Sequence, residues 1–74
     1  MKIREEKREE LRDGRKYVAL AKMFGISYQH VSNIFNGHFE CTKALALLLI
    51  SVKERIPVDD RAMAEWLKYY FEEE

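Results

Sequence analysis

The stretch Tyr17 to Gly37, YVALAKMFGISYQHVSNIFNG, narrows the choice of fold more than any other part of this chain. Apolar or small residues fall at Leu20, Ala21, Phe24, Ile26, Val31 and Ile34. They separate into two helical runs, Val18 to Phe24 and Tyr28 to Phe35. Gly25 stands between them. Lacking a Cβ, it can enter the left-handed turn that closes a helix without a steric clash. Ser27 then occupies an N-cap place, where its hydroxyl accepts from a backbone N–H two or three residues on. Ala21 is small where the second helix would cross the first.

The second of these helices is expected over about Tyr28 to Asn36. Its inward face is Val31, Ile34 and Phe35. Its outward face is Tyr28, Gln29, Ser32, Asn33 and Asn36. An idle surface helix is usually filled with Glu and Lys. This face instead carries amides and hydroxyls. Gln and Asn can pair with both N6 and N7 of adenine, and Ser can serve several base edges. No arginine lies on the helix, so a bidentate guanine contact is not expected from it. A polar surface that reads nothing is the plainer alternative.

Ala21, Gly25, Ile26, Ser27, Val31 and Ile34, with the closing Phe35-Asn36-Gly37, resemble the helix-turn-helix of the phage repressor and Cro family. The similarity runs from about Leu11 to Val52. It implies a compact five-helix, all-α domain of lambda-repressor type over residues 1–74, with a central helix-turn-helix unit at 17–37. It implies that the second helix of the unit enters the major groove. Tyr28, Gln29 and Asn33 take the base-reading positions, with Ser32 beside them, and Asn36 falls where the family touches phosphate.

The chain also departs from that family. Relatives usually place Ser or Thr where Lys16 stands and Gln where Tyr17 stands. The missing cap would cost about 1 kcal/mol. Arg15 and Lys16, beside a helix N-terminus that attracts anions, are candidates to hold phosphate instead. Tyr17, Lys22, Ser27 and Lys43 complete the candidate phosphate set. An ordinary exposed basic pair at 15–16 is an equal alternative. His30 stands where a capping box would place Glu or Gln, which spares a phosphate from a nearby carboxylate.

Charge points the other way. Thirteen basic and thirteen acidic residues leave a net charge of zero, whereas nucleic-acid binders are usually basic. The distribution is uneven. Residues 1–58 hold eleven Lys or Arg against seven Asp or Glu, and residues 59–74 hold two against six. The acidic end would face away from DNA or meet a basic partner. Cys41 is the single cysteine, which excludes an internal disulfide and fits a reducing cytoplasm. The opening MKIREEKREE is too charged for a signal peptide, and no run of 18 apolar residues is present. His30, His38, Glu40 and Cys41 match no standard zinc spacing. No metal, cofactor or catalytic residue is expected.

The flanking segments read as support. Residues 2–13 favour a helix with only Ile3 and Leu11 apolar, ended by Asp13-Gly14. Residues 37–41 should be a loop, with Phe39 either capping the core or facing a partner. Thr42 can cap KALALLLISVKER, which is apolar on nearly every side and so wants burial on more than one face. Any surplus among Leu47, Leu48 and Val52 is a candidate dimer surface. Ile56-Pro57 breaks that helix. Asp59 can cap a last helix over about 59–72. Its stripe of Ala62, Met63, Trp66, Leu67, Tyr70 and Phe71 is core in part. Met63, Trp66, Tyr69 and Tyr70 are the candidate dimer or partner surface, with core as the alternative for all four. Glu72-Glu73-Glu74 should fray.

The function these features imply is that of a small sequence-specific regulator of transcription, encoded by a phage or mobile element and working in the cytoplasm. It would bind operator duplex DNA as a homodimer and act by occupying the site, without enzymatic chemistry. The competing expectation is a helix-turn-helix fold used to bind protein. Such a molecule would be an antirepressor that occupies another regulator and has little or no affinity for DNA. Zero net charge, Lys16, Tyr17 and the aromatic acidic end favour it.

Overall fold

In a computed structural model, which describes residues 1–72, the chain is mostly helical with one pair of short strands. In chain order the elements are β1 (Lys2–Ile3), a 3-10 turn (Glu5–Lys7), α1 (Arg8–Arg12), α2 (Tyr17–Phe24), α3 (Tyr28–Phe35), α4 (Lys43–Glu54), α5 (Ala64–Tyr70) and β2 (Phe71–Glu72). The central helices begin and end where their caps place them. Thr42 Oγ1 accepts from the Leu45 N–H at 3.2 Å and starts α4. Arg55 turns left-handed at φ 58° and ends it, one residue ahead of Ile56-Pro57.

Residues 2–13 do not form one helix. Ile3 is 3% exposed and reaches the core from an extended strand, antiparallel to β2, with Ile3 opposite Phe71 and Lys2 opposite Glu72. Arg4 N–H then donates to the Tyr70 carbonyl at 2.8 Å. On its other side, Met1 exchanges backbone hydrogen bonds with Cys41: the Cys41 N–H donates to the Met1 carbonyl at 2.7 Å, and the Met1 amine to the Cys41 carbonyl at 3.4 Å. Helix starts only at Arg8, and Leu11 is its one buried residue. The expectation of a purely helical fold is therefore corrected by this strand pair. Glu72, expected to fray, is paired; Glu73 and Glu74 lie outside the described residues.

The last helix is also shorter than expected. The Asp59 carboxylate accepts from the N–H groups of Arg61 and Ala62 at 2.9 and 3.2 Å, but this closes a turn. The α-helix proper begins at Ala64. Met63 and Tyr70 are 0% exposed, as is Phe71. They cannot form the surface expected of them, because β2 leads out of α5 and pairs back onto β1, which spends the aromatic stripe inside the protomer. Trp66 is half-buried and stacks on Tyr70, with ring centroids 5.9 Å apart. Tyr69 stays 39% exposed. On α4, Ala46, Leu47, Leu49 and Ile50 are buried, while Leu48 faces outward.

Polar contacts clasp α1, α4 and α5. The Tyr70 hydroxyl donates to the Glu54 carboxylate, which also pairs with Lys53 at 3.3 Å. Tyr69 donates to Glu10 at 2.9 Å, and the Lys7 ammonium lies 3.9 Å from the Tyr69 ring centroid. Burial, and then the bond to Glu54, push the Tyr70 hydroxyl above its ordinary 10.0. The folded state thus keeps a proton that the unfolded chain releases above pH 10. This contribution to stability is complete below pH 10 and is lost as pH rises beyond it, at up to about 1.4 kcal/mol per pH unit. Tyr70→Phe should cost about 1.5–3 kcal/mol at pH 7 in urea unfolding, the usual value of a hydrogen bond to a charged group. The gap between the two proteins should narrow above pH 10.

Candidate functional site

The site is built on α3, and α2 with its turn sets the direction of that helix. Gly25 adopts φ 68° and its N–H returns to the Ala21 carbonyl. Ile26 N–H bonds to the same carbonyl at 3.1 Å. Ser27 is extended, and its hydroxyl accepts from the His30 N–H at 3.1 Å. The cap uses one acceptor lone pair of that exposed hydroxyl and leaves its O–H free to donate. Val31, Ile34 and Phe35 are 3%, 2% and 2% exposed and anchor the inner side of α3. Ala21 is buried on the facing helix, where a larger residue would push the two apart.

The outer side of α3 carries the expected polar residues. Tyr28 is 54% exposed; Gln29 and Asn36 are exposed, and Ser32 and Asn33 are half-buried. They are linked along the helix. Gln29 Nε2 donates to Asn33 Oδ1 at 3.2 Å, and Asn36 Nδ2 donates to Ser32 Oγ at 3.1 Å. Each i,i+4 bond restrains two rotamer-rich side chains without using all their donors and acceptors.

The expected phosphate residues divide into two groups. Lys16 and Lys22 are exposed, and no carboxylate among the described residues lies within 4.0 Å of either ammonium. Arg15 instead pairs with Asp13 at 3.2 Å, and Lys43 with Asp60 at 3.8 Å. Lys16 is the N-cap of α2 and makes no capping bond, so that helix N-terminus is open. Tyr17 is half-buried. Its ring contacts both that of Phe35, at 5.4 Å between centroids, and that of Tyr28, at 6.2 Å, and so ties Tyr28 to the core.

Sequence reasoning missed two members of this neighbourhood. An open groove of about 360 Å³ is lined by Arg12, Lys16, Tyr17, Val18 and Tyr28. The Arg12 guanidinium sits 5.5 Å from the Tyr17 ring centroid and pairs with Glu9 at 2.6 Å. Nothing in a charge-rich N-terminal segment marks Arg12 from its neighbours. Val18 is 47% exposed although it belongs to an apolar helical run.

The loop after α3 does not converge on a site. Phe39 is 53% exposed, with its ring 6.4 Å from that of His30. Cys41 is 3% exposed and its thiol donates to the Thr42 carbonyl at 3.3 Å. Burial pushes that thiol up to about 12 from 9.0, so it is held as the inert protonated form. Among the described residues no group of three or more His, Cys, Asp or Glu is placed to hold a metal ion, and no helix is long and apolar enough to cross a membrane.

No protein-family model, curated protein or solved structure matches the chain.

Two outcomes test this geometry. Nothing lies within 4 Å of a Cβ built on Gly25, so Gly25→Ala should cost only the left-handed backbone strain, about 1–2 kcal/mol by denaturant unfolding. The Cys41 thiol should resist a soluble disulfide reagent at pH 8 in the folded protein and react at once in denaturant.

Proposed function

We propose that the chain is a small sequence-specific DNA-binding regulator of transcription, a helix-turn-helix domain of lambda-repressor type that lays α3 in the major groove of operator DNA. The observation that carries the reading is the outer face of α3. It presents amides, hydroxyls and a tyrosine on a helix held by three buried side chains, with Lys16 at the N-cap of the preceding helix and Lys22 on it, neither paired with a carboxylate among the described residues. Such a face suits base edges, which offer donors and acceptors, while the two ammoniums suit phosphates, which offer charge. The acidic residues 59–74 weigh on the net charge without adding a carboxylate to α3.

A homodimer is part of the proposal. One eight-residue helix reads too few base pairs to select a site, and two copies would bind half-sites about 34–36 Å apart. The protomer measures 29 × 25 × 19 Å, so two fit side by side at that spacing. Met63 and Tyr70 lie inside, which removes two of the four residues expected to form a dimer or partner surface. Trp66 and Tyr69 remain partly accessible to a second subunit or another regulator.

The test is fluorescence anisotropy with a duplex recovered from genomic fragments. Two free lysines per protomer should give a log affinity against log salt slope of roughly −3 to −4 for a dimer, and Lys22→Ala should reduce it by roughly 2. Gln29→Ala and Asn33→Ala should each weaken the preferred duplex by about 1–3 kcal/mol. No retention of any duplex in dilute buffer, with co-elution of a second regulator, would overturn the reading.

A further inference from the structure

The way the side chains of α3 are tied together limits which bases it can read. Gln29 Nε2 gives one hydrogen to Asn33 Oδ1 at 3.2 Å. That leaves Gln29 with a free Oε1 acceptor and one free N–H, and leaves the Asn33 amide with both its N–H donors. Adenine presents an acceptor at N7 and a donor at N6, and the linked pair has both complements free. Guanine presents two acceptors, N7 and O6, and so offers no donor to Gln29 Oε1. The residue types that serve guanine, Arg and Lys, are absent from Tyr28–Phe35.

Next to this pair the surface changes character. Tyr28 and Val18 are 54% and 47% exposed and line the same groove. The Tyr17 ring packs against that of Tyr28, 6.2 Å between centroids. An aromatic edge beside an aliphatic side chain fits the C5-methyl of thymine, the one apolar group in the major groove.

Resting on the reading of α3 as the DNA-contacting helix, we propose that this face selects A·T pairs: Gln29 and Asn33 take an adenine edge, and Tyr28 with Val18 takes a thymine methyl. Lys16, which lines the same groove and has no carboxylate partner among the described residues, is assigned to the backbone.

The purified chain of residues 1–74 is used to select duplexes from a random-sequence pool. The enriched duplex is then remade with 7-deazaadenine, which lacks N7, or with deoxyuridine, which lacks the methyl. A·T pairs should dominate the positions that Gln29→Ala and Asn33→Ala relax. 7-Deazaadenine there should weaken binding about 10-fold, in line with one good base contact. Deoxyuridine should weaken it about 4-fold, the value of one buried methyl, and Tyr28→Ala should abolish that difference. Both amides are on the surface, and circular dichroism checks that the variants are folded. Enrichment of G·C at those positions overturns the base assignment while leaving DNA binding intact. So does equal affinity for the modified and natural duplexes. Retention of no duplex at all overturns the DNA reading and this assignment together.

Discussion

Everything on the outer face of α3 depends on three side chains on its inner face. A helix of eight residues does not persist alone in water, because its nucleation outweighs so few hydrogen bonds. Val31, Ile34 and Phe35 hold it, each at most 3% exposed. Their burial fixes the rotation of α3 about its axis. That rotation decides which of Tyr28, Gln29, Ser32, Asn33 and Asn36 meet solvent. The bond from Ser27 Oγ to the His30 N–H fixes where the helix begins. Together these turn a short peptide into a surface of set spacing.

The rest of the chain is arranged to keep that inner face dry. β1 packs beside α3, and it is held in turn by β2 at the far end of the sequence. The two ends are thereby part of the core: Ile3 and Phe71 are register partners and both are buried. Tyr70 is buried in the same core, and its hydroxyl donates to Glu54 on α4. A chain this small has few apolar residues to spare, so aromatic groups near a terminus are drawn inside.

Much of the middle of the molecule was legible in sequence. Gly25, Ser27, Thr42 and the Ile56-Pro57 break act through local sterics and local hydrogen bonds, which need no distant partner. The ends were not legible. A two-residue strand has no periodicity, and Lys2-Ile3 sits in a run whose propensity is helical. It became a strand because Ile3 found Phe71, some 68 positions away. Met63 and Tyr70 misled for the same reason, since a stripe at helical spacing looks alike whether its cover is the same chain or another. The site shows the same division. Gln29, Asn33 and Ser32 were readable by type. The pairing of Arg15 with Asp13 and of Lys43 with Asp60, and the placing of Arg12 and Val18 in one groove with Tyr28, were not.

The order of residues alone determined the two-helix unit with its glycine turn, the helix that follows it, and the polar character of one exposed face, because those features rest on interactions within a few positions. Only the tertiary structure decided that β1 pairs with β2, that Met63, Tyr70 and Phe71 lie inside, and which cations stay unpaired among the described residues. Those outcomes depend on contacts between segments far apart in the chain. Their geometry exists only once the core has closed.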